Sequence, residues 1–192
     1  MNYPLAIENT PESIPAGTGV LLVHPSTGET DRIDTDFLKT EDDQILVVST
    51  RTTAREVQQK LEHYGVDESR TVILDTLSVE RGYSRRSSEQ VHYVAAPDDL
   101  DGILTQVEQF LADHPGQLRM SLDSITEMAY YADEPGARET VERMLELLDT
   151  HDAIGLFHLA EEVHDASVLA DYTARFDAVV SLSADGTVSA DF

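Results

Sequence analysis

Between an apolar run that ends at His24 and a helical pattern that begins near Asp31 stands Pro25-Ser26-Thr27-Gly28-Glu29-Thr30. Hydroxyls, a glycine and free backbone N–H groups at the mouth of a helix are equipment for holding phosphate oxygens, since both the N–H groups and the helix dipole favour an anion. A loop of the form G-x-x-x-x-G-K-[ST] adds a lysine that cancels phosphate charge and a hydroxyl that holds magnesium. Gly28 and Thr30 occupy the second-glycine and hydroxyl positions, whereas Val23 replaces the first glycine and Glu29 the lysine. A pair of unit charges about 4 Å apart is worth roughly 4 kcal/mol at an effective dielectric near 20, so replacing attraction by repulsion costs several kcal/mol before salt screens it. Each survivor also has a purely structural use: Thr30 as a helix N-cap, and Glu29 as an anion that favours the helix N-terminus by about 0.3–1 kcal/mol.

A second candidate is Asp123, which with Ser124 follows the apolar run Leu118 to Leu122. A carboxylate at a strand end either holds magnesium through water or accepts bonds from neighbouring N–H groups, and the spacing leaves both readings open. His158, His164 and Glu161-Glu162, with His151 near them in sequence, raise the question of a metal, but there is no H-E-x-x-H spacing and no metal site is expected. Ser26, Ser121 and Ser124 lack a G-x-S-x-G elbow, so a nucleophilic serine is not expected either. The pair Tyr130-Tyr131 reads as packing rather than as a stacking platform.

The elements that must position these residues alternate in type. Gly19 to His24, Gln44 to Ser49, Thr71 to Leu74, Leu118 to Leu122 and Ala153 to Leu159 are short continuous apolar runs, as strands covered on both faces require. Helical patterns lie between them: Asp31 to Lys39, Thr53 to Tyr64 stopped by Gly65, Leu100 to Leu111 after Pro97-Asp98-Asp99, Ala137 to Leu148 and Ala166 to Thr173. Phe176 to Leu182 and Thr187 to Ala190 flank Ala184-Asp185-Gly186, a hairpin signal. The order predicts one domain over 1–192: an α/β, doubly wound, mostly parallel sheet with a C-terminal β-hairpin. Ligands of such sheets bind beyond the C-terminal ends of the strands, which is where the loop after His24 and Asp123 fall.

Charge is the most unusual bulk property. There are 37 acidic against 13 basic residues, a net charge of −24, and Lys39 and Lys60 are the only lysines. With 41% hydrophobic residues the chain still has the means to form a core, so the acid belongs to its surface. That is the composition of proteins from concentrated-salt cytoplasm, where screening over about 3 Å at 1 M suppresses self-repulsion. Binding to nucleic acid by phosphate neutralisation is unlikely on such a surface, since it needs clustered Lys/Arg, and only Arg81, Arg85 and Arg86 cluster, within the polar stretch 78–90 read as a mobile or partner-contacting loop. The absence of cysteine excludes disulfides and thiolate metal sites. An acidic N-terminal stretch and no run of 18 apolar residues predict a cytoplasmic protein that does not span a membrane.

The loop Val23 to Thr30 resembles GAPGTGKT of the RecA/KaiC superfamily, with Pro25, Thr27, Gly28 and Thr30 in register and Ser26 in place of the inner glycine. Val47 to Ala54 followed by Gly65-Val66-Asp67, Leu118 to Thr126 and Phe176 to Leu182 are similar to that family's second strand and "GVD" step, its Walker B strand ending "DSLT", and its closing "FDGVVxL" strand. The resemblance implies a RecA/KaiC-like fold whose nucleotide site would comprise Pro25, Ser26, Thr27, Gly28, Glu29, Thr30 and Asp123. Arg51 and Thr52 stand where KaiC-like ATPases carry catalytic glutamates, so nothing obvious orients an attacking water. The expected protein is therefore a pseudo-ATPase with no required cofactor, acting as a regulatory or interaction partner of itself or of a true KaiC-like ATPase. The alternatives are a divergent Mg-ATP hydrolase in which Arg51 or a neighbouring subunit's arginine replaces the lost lysine, and a structural partner that never meets nucleotide.

Overall fold

The computed structural model describes residues 1–83 and 87–192. Its frame is an eight-stranded sheet built from β3 (Gly19–His24), β4 (Gln44–Ser49), β5 (Thr71–Asp75), β6 (Val91–Tyr93), β7 (Leu118–Asp123), β8 (Ile154–Ala160), β9 (Ala178–Leu182) and β10 (Val188–Asp191). The strand order is β10-β9-β3-β8-β7-β4-β5-β6. All neighbours are parallel except the closing hairpin β9-β10. The central strands β3, β7 and β8 are buried at every residue, which is why their sequences are continuous apolar runs rather than alternating ones. The α/β doubly wound architecture expected from the sequence is the one observed.

Helices cover both faces. On one lie α1 (Asp31–Leu38) and α2 (Ala54–Tyr64), whose Ile33, Phe37, Leu38, Val57 and Leu61 pack on Val20, Leu22, Ile45, Val47 and Leu156. The other face carries α3 (Leu100–Asp113), α4 (Ile125–Tyr131), α5 (Glu134–Thr150) and α6 (Ala166–Thr173) on Leu21, Val48, Leu74, Met120 and Phe157. Close approach of α5 fixes one glycine: a Cβ on Gly19 would lie 2.3 Å from Leu145. Local signals end the helices where they should. Thr53 and Glu56 form a reciprocal capping box for α2, and Gly65 closes it in the left-handed region at φ 70°.

Some expectations need correction. The first fifteen residues are not a plain leader to the fold but a two-stranded hairpin, β1 (Asn2–Pro4) and β2 (Ser13–Pro15), whose short eBe alternation is too brief for a periodic signal. β6 and α4 were also not legible: one is a three-residue edge strand, the other a short helix of seven residues. Tyr130 and Tyr131 are not packed in the core, being 78% and 37% exposed, with their rings edge to face at 5.3 Å. Of the stretch 78–90, Ser78 is buried and Arg81 exposed. Residues 84–86, with Arg85 and Arg86 of the expected contact patch, lie outside the described residues.

Candidate functional site

Chain direction makes the site. β3 leads into α1 and β4 into α2 on one face, while β7 leads into α4 and β8 towards α6 on the other. The strands adjacent in the sheet are β3-β8 and β7-β4, so their loops diverge to opposite sides and open a crevice over the C-terminal ends of all four. Into it project the loop 25–30, Arg51, Asp123 and the strand residues His24 and His158.

The loop does not have the open shape of a phosphate cradle. Gly28 N–H donates to Pro25 O at 2.8 Å, closing a tight turn, and a Cβ on Gly28 would sit 3.0 Å from that same oxygen. Ser26 N–H donates to Glu162 Oε1 at 2.7 Å, and the Ser26 hydroxyl donates to the same oxygen. Glu162, in the one-turn 3-10 helix Glu161–Val163 after β8, thus places a carboxylate where the loop would meet an anion, and these bonds hold it below the usual carboxylate range. Glu29 is exposed, and Thr27 with it. Thr30 stands buried at the N-cap position of α1, but its side chain makes no capping bond, contrary to the structural role expected of it. Glu29 and the first-turn acids Asp31 and Asp34 leave this helix start rich in negative charge.

Behind the loop a buried polar network runs along the α1/α2 face of the sheet. Asp34, 1% exposed, accepts hydrogen bonds from Lys60 Nζ at 2.7 Å, His158 Nε2 at 2.9 Å and the Ser121 hydroxyl. Burial alone would raise its pKa, yet the Lys60 ammonium and His158 hold it well below the carboxylate range. Lys60 is buried too, which by itself would lower its pKa, and the Asp34 carboxylate reverses the effect so that the ammonium is held more firmly than usual. One of the chain's two lysines is therefore committed to an internal carboxylate. Nothing in the loop motif announced this, although Asp34 sits among the inward residues Ile33, Phe37 and Leu38, where an acid demands a partner.

Asp123 meets neither expectation fully. It accepts no N–H bond at Oδ1; Arg51 Nε lies 3.3 Å from that oxygen without hydrogen-bond geometry, and His158 Nδ1 stands at 3.9 Å. The role foreseen for it is filled one strand pair away by Asp75, which accepts from the backbone N–H groups of Ala54, Leu77 and Ser78 and from the Ser78 hydroxyl. Beside Asp123, Glu127 on α4 is pushed up by burial, with Arg51 opposing and Asp123 reinforcing the shift. Arg51, Glu29, Thr30 and Tyr64 line one cleft of about 500 Å³, and Pro25, Thr27 and Gly28 line another of about 430 Å³ against the β9-β10 hairpin. His164, considered beside His158, is elsewhere: its Nε2 meets the Thr126 hydroxyl at 2.9 Å and its Nδ1 meets Glu134 at 3.2 Å. His158 is a core residue of β8, not part of the loop after it.

A family model described as "Family of unknown function (DUF7090)" matches residues 1–192. The chain belongs to that family. Among solved structures it is similar to three proteins of Pyrococcus horikoshii OT3. The KaiC-like protein PH0186 is 16% identical at a TM-score of 0.64, over 99% of this chain and 85% of that one. The uncharacterized protein PH0321, solved in complex with an unknown peptide, is 15% identical at 0.65, over 92% and 83%. PH0250 is 10% identical at 0.63, over 91% and 86%. At these identities the likeness is one of fold, and the fold of this chain is RecA/KaiC-like. No curated protein matches it. Among the described residues no helix is long and apolar enough to cross a membrane.

Proposed function

We propose that this DUF7090 protein is a RecA/KaiC-like regulatory or interaction module that does not turn over nucleotide and works through protein contacts. The observation that carries the reading is the Glu162 carboxylate on the N–H and hydroxyl of Ser26. A phosphate would have to displace an internal anion from a closed turn, beside Glu29, with Lys60 already held by Asp34. No carboxylate at Arg51 or Thr52 positions a water, and binding alone does not lower a chemical barrier. Exposed Tyr130, Tyr131 and Val163 offer a partner apolar area to bury at the crevice end of the sheet. A structural relative caught with a peptide is consistent with such use of the fold. The partner is a second copy or a true KaiC-like ATPase, and the working compartment is a cytoplasm of concentrated salt. Melting temperature should then rise clearly between about 0.1 M and 2 M KCl as surface repulsion is screened; a salt-independent melt contradicts the compartment.

Calorimetric titration with Mg-ATP in about 2 M KCl, followed by a phosphate-release assay, tests the reading. Wild type should show weak or no binding and background hydrolysis. Glu29→Lys combined with Glu162→Gln should improve binding at least about tenfold, since charge is reversed and the internal anion neutralised, without creating turnover. A second reading, a divergent ATPase, is favoured by Arg51 facing the same cleft as Thr30 and standing beside Asp123. Magnesium-dependent turnover by the wild type, abolished by Asp123→Ala, would establish it instead.

A further inference from the structure

His24, His158 and Asp123 present three buried polar atoms to one another with no hydrogen-bond partner: His24 Nε2, His158 Nδ1 and Asp123 Oδ1. The residues are 2%, 0% and 8% exposed. Register explains the convergence. His158 pairs with Leu22 across β8-β3, so His24 lies two residues on along the same face, and Asp123 ends the neighbouring strand β7. The imidazole rings stand edge to face with centroids 5.8 Å apart.

The protonation states follow from the partners on the far side of each ring. His24 Nδ1 lies 2.8 Å from the Pro25 carbonyl, which can only accept, so that nitrogen carries the hydrogen and Nε2 presents a lone pair. Burial lowers the His24 pKa first of all, and His158 adds to the effect, which keeps the ring neutral. His158 Nε2 donates to Asp34, held ionised by Lys60, which leaves Nδ1 as a second lone pair. Asp123 Oδ1 is a carboxylate oxygen. Three acceptors therefore face one another, and the one cation near them, Arg51, stands at the solvent side without bond geometry.

Two imidazoles, each oriented through its other nitrogen by a carbonyl or a carboxylate, with a carboxylate oxygen alongside, form the arrangement that outer-shell partners create around a metal ion. We propose that His24, His158 and Asp123 bind one divalent transition cation of the zinc class, in the absence of any nucleotide. Two imidazoles select such a cation over magnesium or calcium, which prefer all-oxygen sets. Among the described residues no such group stands at ligating spacing: the 3.9 Å between His158 Nδ1 and Asp123 Oδ1 exceeds the roughly 3.4 Å between two ligands of a tetrahedral zinc. Closure requires the Asp123 carboxylate to turn inward by about half an ångström. It is free to do so, because Oδ1 has no hydrogen bond to lose. Arg51, whose side chain is 34% exposed, swings into its cleft to admit the ion. Open coordination positions are filled by water.

The test is calorimetric titration of chelator-treated protein with Zn²⁺ and with Co²⁺, nucleotide-free, on wild type, His24→Asn and Asp123→Asn. Asparagine at 24 retains a donor for the Pro25 carbonyl while removing Nε2, and Asp123→Asn disturbs no hydrogen bond of Oδ1, so both are expected to fold; thermal melts verify this. One ion per chain should bind to wild type, at least about tenfold more weakly to each variant. Absence of saturable binding by the wild type would overturn the site. So would equal binding by both variants, which would assign the ion to other histidines such as His63, His92 or His151.

Discussion

The two ends of the central sheet are both polar and both buried, yet they are built on opposite rules. At the N-terminal ends of β4 and β7, Arg119 is fully buried and fully satisfied: its Nε pairs with Asp43, and its terminal nitrogens donate to Phe37 O and Pro4 O at 2.8 Å each. The Tyr3 and Phe37 rings flank the guanidinium at 5.6 and 5.7 Å. Tyr3 on the N-terminal hairpin accepts from Leu118 N–H and donates to Asp152 O, tying that hairpin beneath the sheet. At the C-terminal ends, His24, His158 and Asp123 leave lone pairs unmet. Unmet acceptors in a low-dielectric interior are costly. A satisfied buried charge thus identifies a structural post, and an unsatisfied cluster in the crevice identifies a place prepared for something else.

The largest effect that tests this contrast is expected at the satisfied end. Arg119→Ala strands Asp43 and opens a cavity under the hairpin, and should cost about 3–5 kcal/mol in denaturant unfolding. A loss below about 1 kcal/mol would mean that the pair is incidental. Between the two ends, Asp34 gives a pH signature. Its folded pKa is depressed, so its contribution is complete above the unfolded value of 3.8 and drains away as pH falls below it towards the folded value. Urea midpoints measured downward from pH 5 should therefore fall more steeply in wild type than in Asp34→Asn, which has no such carboxylate to protonate. The smallest effect belongs to the unsatisfied end: without metal, His24→Asn should shift stability by less than about 1 kcal/mol, because the bond to Pro25 survives and only an orphaned acceptor is removed. Severe unfolding of that variant would place His24 among the structural residues and erase the contrast.

The fold was legible because it is written in local chemistry. Continuous apolar runs of strand length, separated by amphipathic helices with recognisable caps, specify a parallel sheet covered on both sides. The limits of β3 and β4 coincide with the runs read for them, and α2 starts and stops at its predicted signals. Elements held by neighbours rather than by pattern were missed: β1, β2, β6 and α4 are short, and the edge strand β6 gains its place by pairing with β5. The loop 25–30 was correctly singled out as the place where a phosphate cradle would lie, but its closure by Glu162 was beyond reach, since the two partners are separated by 136 residues.

Composition, the absence of cysteine, the alternation of elements and the substitution of Glu29 for a lysine were determined by the sequence alone. Which polar residues are satisfied was decided only by the tertiary structure. Lys60 and Asp34 come from different helices, and His24, His158 and Asp123 from three strands whose order in the sheet is not their order in the chain. Periodicity reports on which face a side chain lies; it carries no information about what stands opposite. A buried charge acquires its meaning from that opposite group, and the crossover connections of a doubly wound sheet are what bring it there.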